Sequence, residues 1–348
     1  IVHIARIIPG YWEGDALSIN TFIRLLSLGI VQLLLIYVLR QFKLSWLSSI
    51  VLSVISVYNL RMLDHFRYGA SLENHTAFIA LCCFVLLYFQ KGKSWPVTLG
   101  LVVSSYLLVV GGHPQVMYLG LLGAGILALF APYFVHDISG EGEKVSFRSN
   151  AKNWAWLLVF VLIGVGLAAP YIFAFYFEFL LGNSQRVTNP YIWSLGYQDS
   201  LGGALRNLYA PLGADVSGAF GGTALLMVLL SFPVLLLWYR RVPLIVWSLY
   251  ISLVVIFALC VGSATPLHRW VWEYFPLANN FRVPGRYSLL LIFPMLLLFV
   301  WLAKRGNTER LPLLGGSSVS LLGVLSFVAW VLLVLFNVVF DSLLPVSS

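Results

Sequence analysis

The chain has 348 residues, of which 60% are hydrophobic and 10% are charged, whereas a soluble domain carries roughly 25% charged residues. Repeated apolar runs of about 20 residues, enough to cross a hydrocarbon core of roughly 30 Å, exclude an ordinary soluble protein. The net charge of +8 does not indicate nucleic-acid binding, because the basic residues are scattered over short loops and form no continuous stripe.

We predict an all-α polytopic membrane protein with about ten transmembrane helices. The first five fall at 21–39, 44–60, 76–90, 95–112 and 114–134. The second five fall at 154–181, 221–239, 242–262, 287–303 and 319–340. No soluble domain interrupts the series, so residues 1–348 are expected to form a single transmembrane domain. Cys82, Cys83 and Cys260 lie within apolar runs, which predicts core packing for all three.

The basic residues divide unevenly when successive loops are assigned to alternate sides. Twelve of the 21 lysine and arginine residues, including every lysine, fall on one side, and the other nine are all arginine. By the positive-inside rule the lysine side is cytoplasmic, so both ends of the sequence face outward. The outer loops at 181–220 and 263–286 are where chemistry is expected. An all-arginine outer side suits phosphate or carboxylate binding, although lysine depletion by the topology rule alone is the alternative.

The outer loops also contain helix signals that are too short to span a membrane. Thr265 and Pro266 form an N-cap and first-turn signal, after which apolar residues recur at helical spacing through Tyr274. Shorter patterns of the same kind occur at 1–8 and 201–208. We expect short amphipathic helices along the extracytoplasmic interface.

One outer segment brings two arginines to the start of the ninth apolar run. Arg282 and Arg286 flank Pro284, and proline fits the first turn of a helix because its missing N–H needs no partner there. The free amide groups of that turn favour an anion. The segment therefore predicts a phosphate or carboxylate site at the membrane surface.

A second outer turn lies between the fourth and fifth predicted helices. Gly111 and Gly112 end one helix and Pro114 opens the next, which leaves His113 and Gln115 at the turn. Two interpretations stay open. Either His113 lines an outer cavity as a hydrogen-bond donor or base, or it caps backbone carbonyls of a tight turn.

The motifs of soluble enzymes are absent from the sequence. No His/Cys cluster has zinc spacing, no glycine-rich loop follows a strand, and no serine sits in a nucleophile elbow. No cofactor or metal site is predicted, and a divalent metal on an outer carboxylate is left open. A transporter would need polar groups through the middle of the membrane, where Gln32 is nearly the only candidate.

The motifs occur in an order that carries a family resemblance. They are Gly111-Gly-His-Pro-Gln115, Ala169-Pro170, Ser184-Gln-Arg186, Tyr209-Ala-Pro211, Gly221-Gly222, Thr265-Pro-Leu267 and Phe281-Arg-Val-Pro-Gly-Arg286. In this series the chain resembles the YfhO-type bacterial membrane proteins of the GT-C superfamily of polytopic glycosyltransferases. The resemblance implies a GT-C-like fold and transfer of a sugar from a polyprenyl-phosphate donor to a cell-envelope acceptor. The reaction would take place at the extracytoplasmic face of the bacterial cytoplasmic membrane.

The resemblance also implies roles for particular residues. Arg282, Arg286 and Arg186 would contact the lipid phosphate, and His113 and Gln115 would line the same outer cavity. The partners implied are the lipid-linked sugar, its acceptor and membrane lipids, with no nucleic acid.

Relatives in the superfamily place their catalytic acid in the first outer loop, just after the first membrane helix. The segment from Ile1 to Asn20 reads as the end of such a loop, so we expect that helix and the start of the loop to lie upstream. Glu13 and Asp15 are the candidate acids within the sequence, and the true base would otherwise be upstream of Ile1. The alternative function is a non-catalytic GT-C-like subunit that scaffolds a membrane complex or binds lipid.

Overall fold

The computed structural model describes residues 16–58, 72–139, 147–175, 177, 191–195, 242–281, 284–306, 310–312 and 318–320. The first six helices are α1 (Ala16–Gln41), α2 (Trp46–Val57), α3 (Leu72–Lys91), α4 (Trp95–Val110), α5 (Pro114–Ser139) and α6 (Phe147–Leu167). The next five are α7 (Ala169–Phe175), α8 (Tyr191–Leu195), α9 (Leu244–Cys260), α10 (Pro266–Tyr274) and α11 (Ile292–Gly306). Three 3-10 segments, Gly262–Ala264, Ala278–Asn280 and Pro284–Leu291, lie between α9 and α11.

Several of these helices are suited to a membrane by length and composition. Five apolar segments are long enough to cross one, namely Thr21–Gln41, Leu72–Lys91, Pro114–Ile138, Asn150–Leu167 and Pro284–Lys304. Helices α2, α4 and α9 are apolar but shorter. This confirms an all-helical membrane architecture in outline. The count of about ten spans stays a prediction.

Helix α3 is the centre of the bundle. It packs against α1, α4 and α5, and its aliphatic residues from Leu81 to Leu87 are almost completely buried, together with Cys82 and Cys83. Cys260 on α9 is buried as well, and none of the three cysteines forms a disulfide, which confirms that the cysteines pack in the core. Phe78 on α3 meets Phe293 on α11 edge to face, with ring centroids 5.7 Å apart.

Helix α2 has the pattern of exposed and buried residues that is expected of a helix in a lipid bilayer. Its buried side is made of small polar residues, with Ser49 and Ser53 0% exposed, while Leu47 is 73% exposed. The serine hydroxyls do not need water, because Ser49 donates to the Ser45 carbonyl and Ser53 to the Ile50 carbonyl. An apolar outside with a small, polar inside is the arrangement of a helix packed among helices in a bilayer.

Glycines bring α4 unusually close to its two neighbours. A Cβ added at Gly100 would lie 2.2 Å from the ring of Phe84 on α3, and one added at Gly164 on α6 would lie 2.0 Å from Ser105 Oγ. Small residues at such crossings let backbones approach and recover van der Waals contact, which is the main source of helix association in lipid.

Prolines explain where the predicted helices differ from the observed ones. The helix expected at 154–181 begins earlier, at Phe147, and breaks at Ala168 before α7. Pro170 lacks an N–H, so it cannot bond the Gly166 carbonyl, and its ring would clash with that carbonyl in a continuous α-helix. The helix expected to begin at Tyr287 starts instead as the 3-10 segment Pro284–Leu291, which is bounded by Pro284 and followed by Pro294 in the first turn of α11.

The last predicted helices have mixed outcomes. The helix expected at 319–340 does not begin at Val319, because Ser318–Ser320 forms a strand (β2) antiparallel to Arg310–Pro312 (β1). Residues 321–340 of that helix and the whole helix expected at 221–239 lie outside the described residues. The helix expected from Pro266 to Tyr274 is confirmed as α10, and its position along a membrane interface stays a prediction. The helices expected at 1–8 and 201–208 also lie outside the described residues.

The lysines gather at one end of the bundle, which we call the lysine end. Lys91 at the end of α3 donates to the Tyr37 hydroxyl on α1, and Lys304 on α11 donates to the Ile138 carbonyl on α5. Since α3 has 20 residues, its other end is roughly 30 Å away. The separation of charge between loops that the sequence predicted is therefore present in three dimensions among the described residues.

Candidate functional site

Polar side chains from three elements meet at the end of the bundle opposite the lysines. We call this group the polar corner and define it as Asn74 on α3, His113 and Gln115 at the α4 to α5 turn, and Arg286 on the 3-10 segment Pro284–Leu291. Asn74 is 0% and Gln115 4% exposed. Burial of an amide is favourable only when it is hydrogen-bonded, so the contacts of these residues define their roles.

Asn74 holds the turn between α4 and α5. Its Nδ2 donates to the Leu108 carbonyl at 2.6 Å, and its Oδ1 accepts from the His113 N–H at 3.0 Å. The turn fits closely around it, since a Cβ added at Gly111 would lie 2.6 Å from Asn74 Cγ. Gly112 has φ of 92°, a left-handed conformation that glycine adopts without strain. Asn74 is not among the residues that the sequence predicts for the site, because one amide in an apolar helix carries no periodic signal.

His113 caps the first turn of α5. The Val116 N–H donates to His113 Nδ1 at 3.4 Å, which is the geometry of an N-cap side chain bonded to the third helical residue. Nδ1 is therefore an acceptor, and the proton of the neutral ring lies on Nε2. Of the two interpretations, backbone capping is present, and the group capped is the Val116 N–H, whereas backbone carbonyls were expected. A role for the Nε2 side of the ring in lining a cavity stays a prediction.

Arg286 is oriented by Gln115. The guanidinium Nη1 donates to Gln115 Oε1 at 2.7 Å, a short bond that is typical of a charged donor. Gln115 is itself fixed in the first turn of α5, next to the Asn74 and His113 contacts. Asn74 and His113 therefore fix the α4 to α5 turn, and Gln115 in that turn sets the position of the guanidinium.

The backbone under Arg286 is unusual. It lies on a 3-10 helix of eight residues, whereas runs longer than three or four are uncommon and often mark strain or a functional hinge. The neighbouring residues Pro284, Gly285, Tyr287 and Ser288 are all buried. The segment therefore presents Arg286, which is only partly buried, from an otherwise buried stretch.

The short helix α10 covers the residue next to Arg286. His268 on α10 is 4% exposed, and its ring meets Tyr287 edge to face at 6.0 Å. Its Nδ1 lies 3.1 Å from the Tyr191 hydroxyl on α8. Burial lowers the pKa of His268 to about 4, so the ring is neutral at pH 7, and burial also raises the pKa of Tyr191.

Thr265 has the position but not the hydrogen bond that is expected of the N-cap of α10. Thr265 occupies the N-cap position, but its side chain makes no bond to the amides of the first turn. Its hydroxyl donates to the Ala258 carbonyl on α9 at 2.6 Å instead. Thr265 thereby ties α10 to the end of the apolar helix that precedes it. Tyr118 on α5 ties the other end through a 2.9 Å bond to the Pro276 carbonyl.

The remaining predicted site residues are Arg282, Arg186, Glu13 and Asp15, and all four lie outside the described residues. Their roles stay predictions. Three acids have described side chains: Glu73, Asp137 and Glu273. Glu273 forms an ion pair with Arg269 at 2.8 Å, as the spacing of four residues predicts. Glu73 directly precedes Asn74, at the polar-corner end of α3.

No metal centre is evident in the part of the chain that the structure describes. It contains no group of three or more histidine, cysteine, aspartate or glutamate side chains that could hold a metal ion. The polar corner instead offers an amide-oriented guanidinium, which is suited to an oxyanion such as a phosphate.

Fold and site together define a helical membrane protein with a buried polar corner at one end of an apolar bundle. Comparison of the chain with known protein families, with curated proteins and with solved structures finds no match. The GT-C resemblance is therefore carried by the sequence motifs alone.

Proposed function

We propose that the chain is a membrane glycosyltransferase of the GT-C type, which transfers a sugar from a polyprenyl-phosphate donor to a cell-envelope acceptor at the extracytoplasmic face of a bacterial cytoplasmic membrane. The observation that carries the proposal is the 2.7 Å bond from Arg286 Nη1 to Gln115 Oε1. It orients a permanent cation at the end of the bundle opposite the lysines, where a lipid phosphate would lie. The opposite placement of the lysines supports an extracytoplasmic position for this end.

In the proposed reaction an acceptor hydroxyl attacks the anomeric carbon of the sugar. The bond between that carbon and the phosphate oxygen breaks, the electron pair leaves with the lipid phosphate, and a carboxylate takes the hydroxyl proton. Arg286, with Arg282 and Arg186, would stabilise the charge that develops on the departing phosphate. Glu13 or Asp15, or an acid upstream of Ile1, would be the base. Glu73, at the polar-corner end of α3, is a further candidate.

Two free energies indicate which part of the donor determines affinity and which part Arg286 affects. Each buried CH₂ of a lipid chain contributes about 0.8 kcal/mol to membrane affinity, whereas a hydrogen bond to a charged group contributes about 1.5 to 3 kcal/mol net. The long isoprenoid chain therefore dominates affinity. Arg286 is expected to act mainly on the transition state, because a preorganised donor to a developing oxyanion changes turnover by about 10² to 10³.

The test is sugar transfer from a radiolabelled polyprenyl-phosphate sugar in liposomes that contain the full chain. We expect Arg286→Ala to lower turnover about 100-fold while donor binding falls less than about tenfold. Arg286→Lys keeps the charge without the planar fork and should fall between Arg286→Ala and the unchanged chain. Arg269→Gln, at the exposed ion pair on α10, is the matched control and should leave turnover unchanged.

Two results would contradict the proposal. A loss of donor binding in Arg286→Ala with turnover at saturating donor unchanged would assign the arginine to binding alone. Donor binding without any transfer by the unchanged chain would favour the non-catalytic alternative, a GT-C-like subunit that binds lipid or scaffolds a membrane complex.

A further inference from the structure

A pair of lysines at the lysine end occupies a tight turn that the proposed reaction does not use. Lys91 and Lys93 lie on either side of Gly92, whose φ is 74°, and α4 begins directly afterwards at Trp95. The left-handed glycine reverses the chain within a few residues. Two cations are therefore held within two residues of each other at the tip of the turn between α3 and α4.

Aromatic rings on two different helices fix the directions of these cations. Lys91 Nζ lies 4.6 Å from the ring centre of Tyr37 on α1, and Lys93 Nζ lies 3.5 Å from that of Trp156 on α6. A ring face attracts an ammonium group and leaves its remaining N–H donors directed away from the ring. Each ammonium group is thus held against a ring before any ligand binds.

The rings themselves are exposed beside apolar surface. Tyr37 is 46% and Trp156 40% exposed. Tyrosine and tryptophan have one polar and one apolar side, so they are enriched at the depth where lipid headgroups meet acyl chains. The turn therefore lies at headgroup depth if the bundle spans a bilayer.

Helix α4 offers an apolar track that starts at this turn. Its exposed side chains recur at helical spacing on one face, at Trp95, Leu99, Val103 and Tyr106. An acyl chain that descends from a headgroup at the lysine turn would lie along this face.

The charge at this end is strongly positive. Six cations have described side chains there, namely Arg40, Lys43, Lys91, Lys93, Lys152 and Lys304, against the single described acid Asp137. At the same end of α3, the Gln90 amide has both polar atoms buried without a hydrogen-bond partner in the described ranges. A polar ligand or water satisfies such a group in most folded proteins.

We propose that the Lys91 to Lys93 turn binds the phosphate of an anionic phospholipid, such as phosphatidylglycerol, whose acyl chain lies on the exposed face of α4. The phosphate is held between the two ammonium groups, and the aromatic rings prevent the lysines from turning away. This site is distinct from the polar corner, which lies at the other end of α3. The site requires that the Lys91 to Lys93 turn lie at a membrane surface, and it does not require the proposed transferase activity.

The test uses the full chain in a neutral detergent and native mass spectrometry with dioleoyl phosphatidylglycerol or dioleoyl phosphatidylcholine. We expect the anionic lipid to bind at a concentration at least about tenfold lower, and Lys91→Gln and Lys93→Gln each to weaken it about fivefold, the equivalent of roughly one basic residue near an anionic surface. Lys152→Gln removes the same charge from the exposed start of α6 and should change binding less than about twofold.

Further variants separate position from charge. Trp156→Leu keeps every charge but removes the ring under Lys93, and it should weaken phosphatidylglycerol binding about two- to fivefold. Lys91→Arg and Lys93→Arg should retain binding, and unfolding midpoints in phosphatidylcholine nanodiscs check that each variant is folded.

Three results would overturn the site. Equal binding of the two lipids would remove its charge selectivity, and equal losses in Lys152→Gln and Lys93→Gln would show diffuse attraction only. Displacement of the lipid by millimolar inorganic phosphate would show a site for the free anion in place of a headgroup.

Discussion

The side chains of Arg286 and Gln115, 171 positions apart in the chain, are joined by a 2.7 Å hydrogen bond at the polar corner. One partner lies on a 3-10 segment and the other in the first turn of α5. Gln115 is almost fully buried, so its amide oxygen has exchanged water for the guanidinium. The bond joins the segment of Arg286 to the α4 to α5 turn, two features that only the family resemblance had linked.

A double-mutant cycle on this pair should show strong coupling. We expect Gln115→Leu and Arg286→Met to have a coupling energy of about 1.5 to 3 kcal/mol in the free energy of unfolding, because a partly buried bond to a charged donor is lost in either single variant. Reversible unfolding in mixed micelles measures it. The exposed Arg269 and Glu273 pair is the matched control and should couple more weakly, since solvent screens it. Coupling no larger than in that control would show that the bond is not formed.

Asn74 should be the most sensitive polar residue of the corner. Asn74→Leu keeps the branch at Cγ but leaves the Leu108 carbonyl and the His113 N–H without their bonds. We expect it to lower the free energy of unfolding by about 2 to 6 kcal/mol, at roughly 1 to 3 kcal/mol for each unpaired group. Ser104→Ala, which removes a buried hydroxyl bonded only within α4, should cost much less. Similar costs for both variants would contradict the role of Asn74.

The sequence predicted the helical membrane class and the turn at His113 because hydrophobic runs and Gly/Pro punctuation are local signals. It also predicted α10 from Thr265 and the spacing that follows. It could not predict that Gln115 binds Arg286, since a contact between residues far apart in sequence has no local pattern. Asn74 was missed for a related reason, as its importance comes from a backbone turn on another helix.

Two proline effects show a second limit of local patterns. Apolar periodicity does not distinguish an α-helix from a 3-10 helix, so the segment that carries Arg286 was expected to begin an ordinary helix. Pro284 and Pro294 bound that segment, and the α-helical hydrogen bonds begin only at Ile292. Pro170 likewise separates α7 from α6 within an uninterrupted apolar run.

Two glycines on α6 provide a matched test of helix packing. A Cβ at Gly164 would lie 2.0 Å from Ser105 Oγ and 2.3 Å from the Val102 carbonyl oxygen, whereas a Cβ at Gly166 would have no atom within 4 Å. Gly164→Ala should therefore force α4 and α6 apart and lower the unfolding free energy by about 1 to 3 kcal/mol. Gly166→Ala should be neutral or raise it by up to about 1 kcal/mol through helix propensity. Thermal or denaturant unfolding compares the two, and equal effects would show that the close crossing is not present.

The docking of α10 should depend on pH through His268. Its pKa is about 4 in the folded protein because of burial, and the ordinary value in an unfolded chain is about 6.5. Between these values the unfolded or undocked state binds the proton and the folded state does not, so stability falls as pH decreases from about 6.5 to about 4 and is unaffected above that window. The difference of pKa values corresponds to about 3 kcal/mol at most, and to about 2 kcal/mol at pH 5.

Hydrogen exchange of the α10 amides between pH 7.5 and 4.5, corrected for intrinsic rates, measures the opening equilibrium. Glutamine is polar and does not titrate, so His268→Gln should remove the pH dependence of hydrogen exchange in α10. Exchange of the α3 amides is the control and should be the same in His268→Gln and the unchanged chain. A pH dependence that persists in His268→Gln would assign the transition to another group.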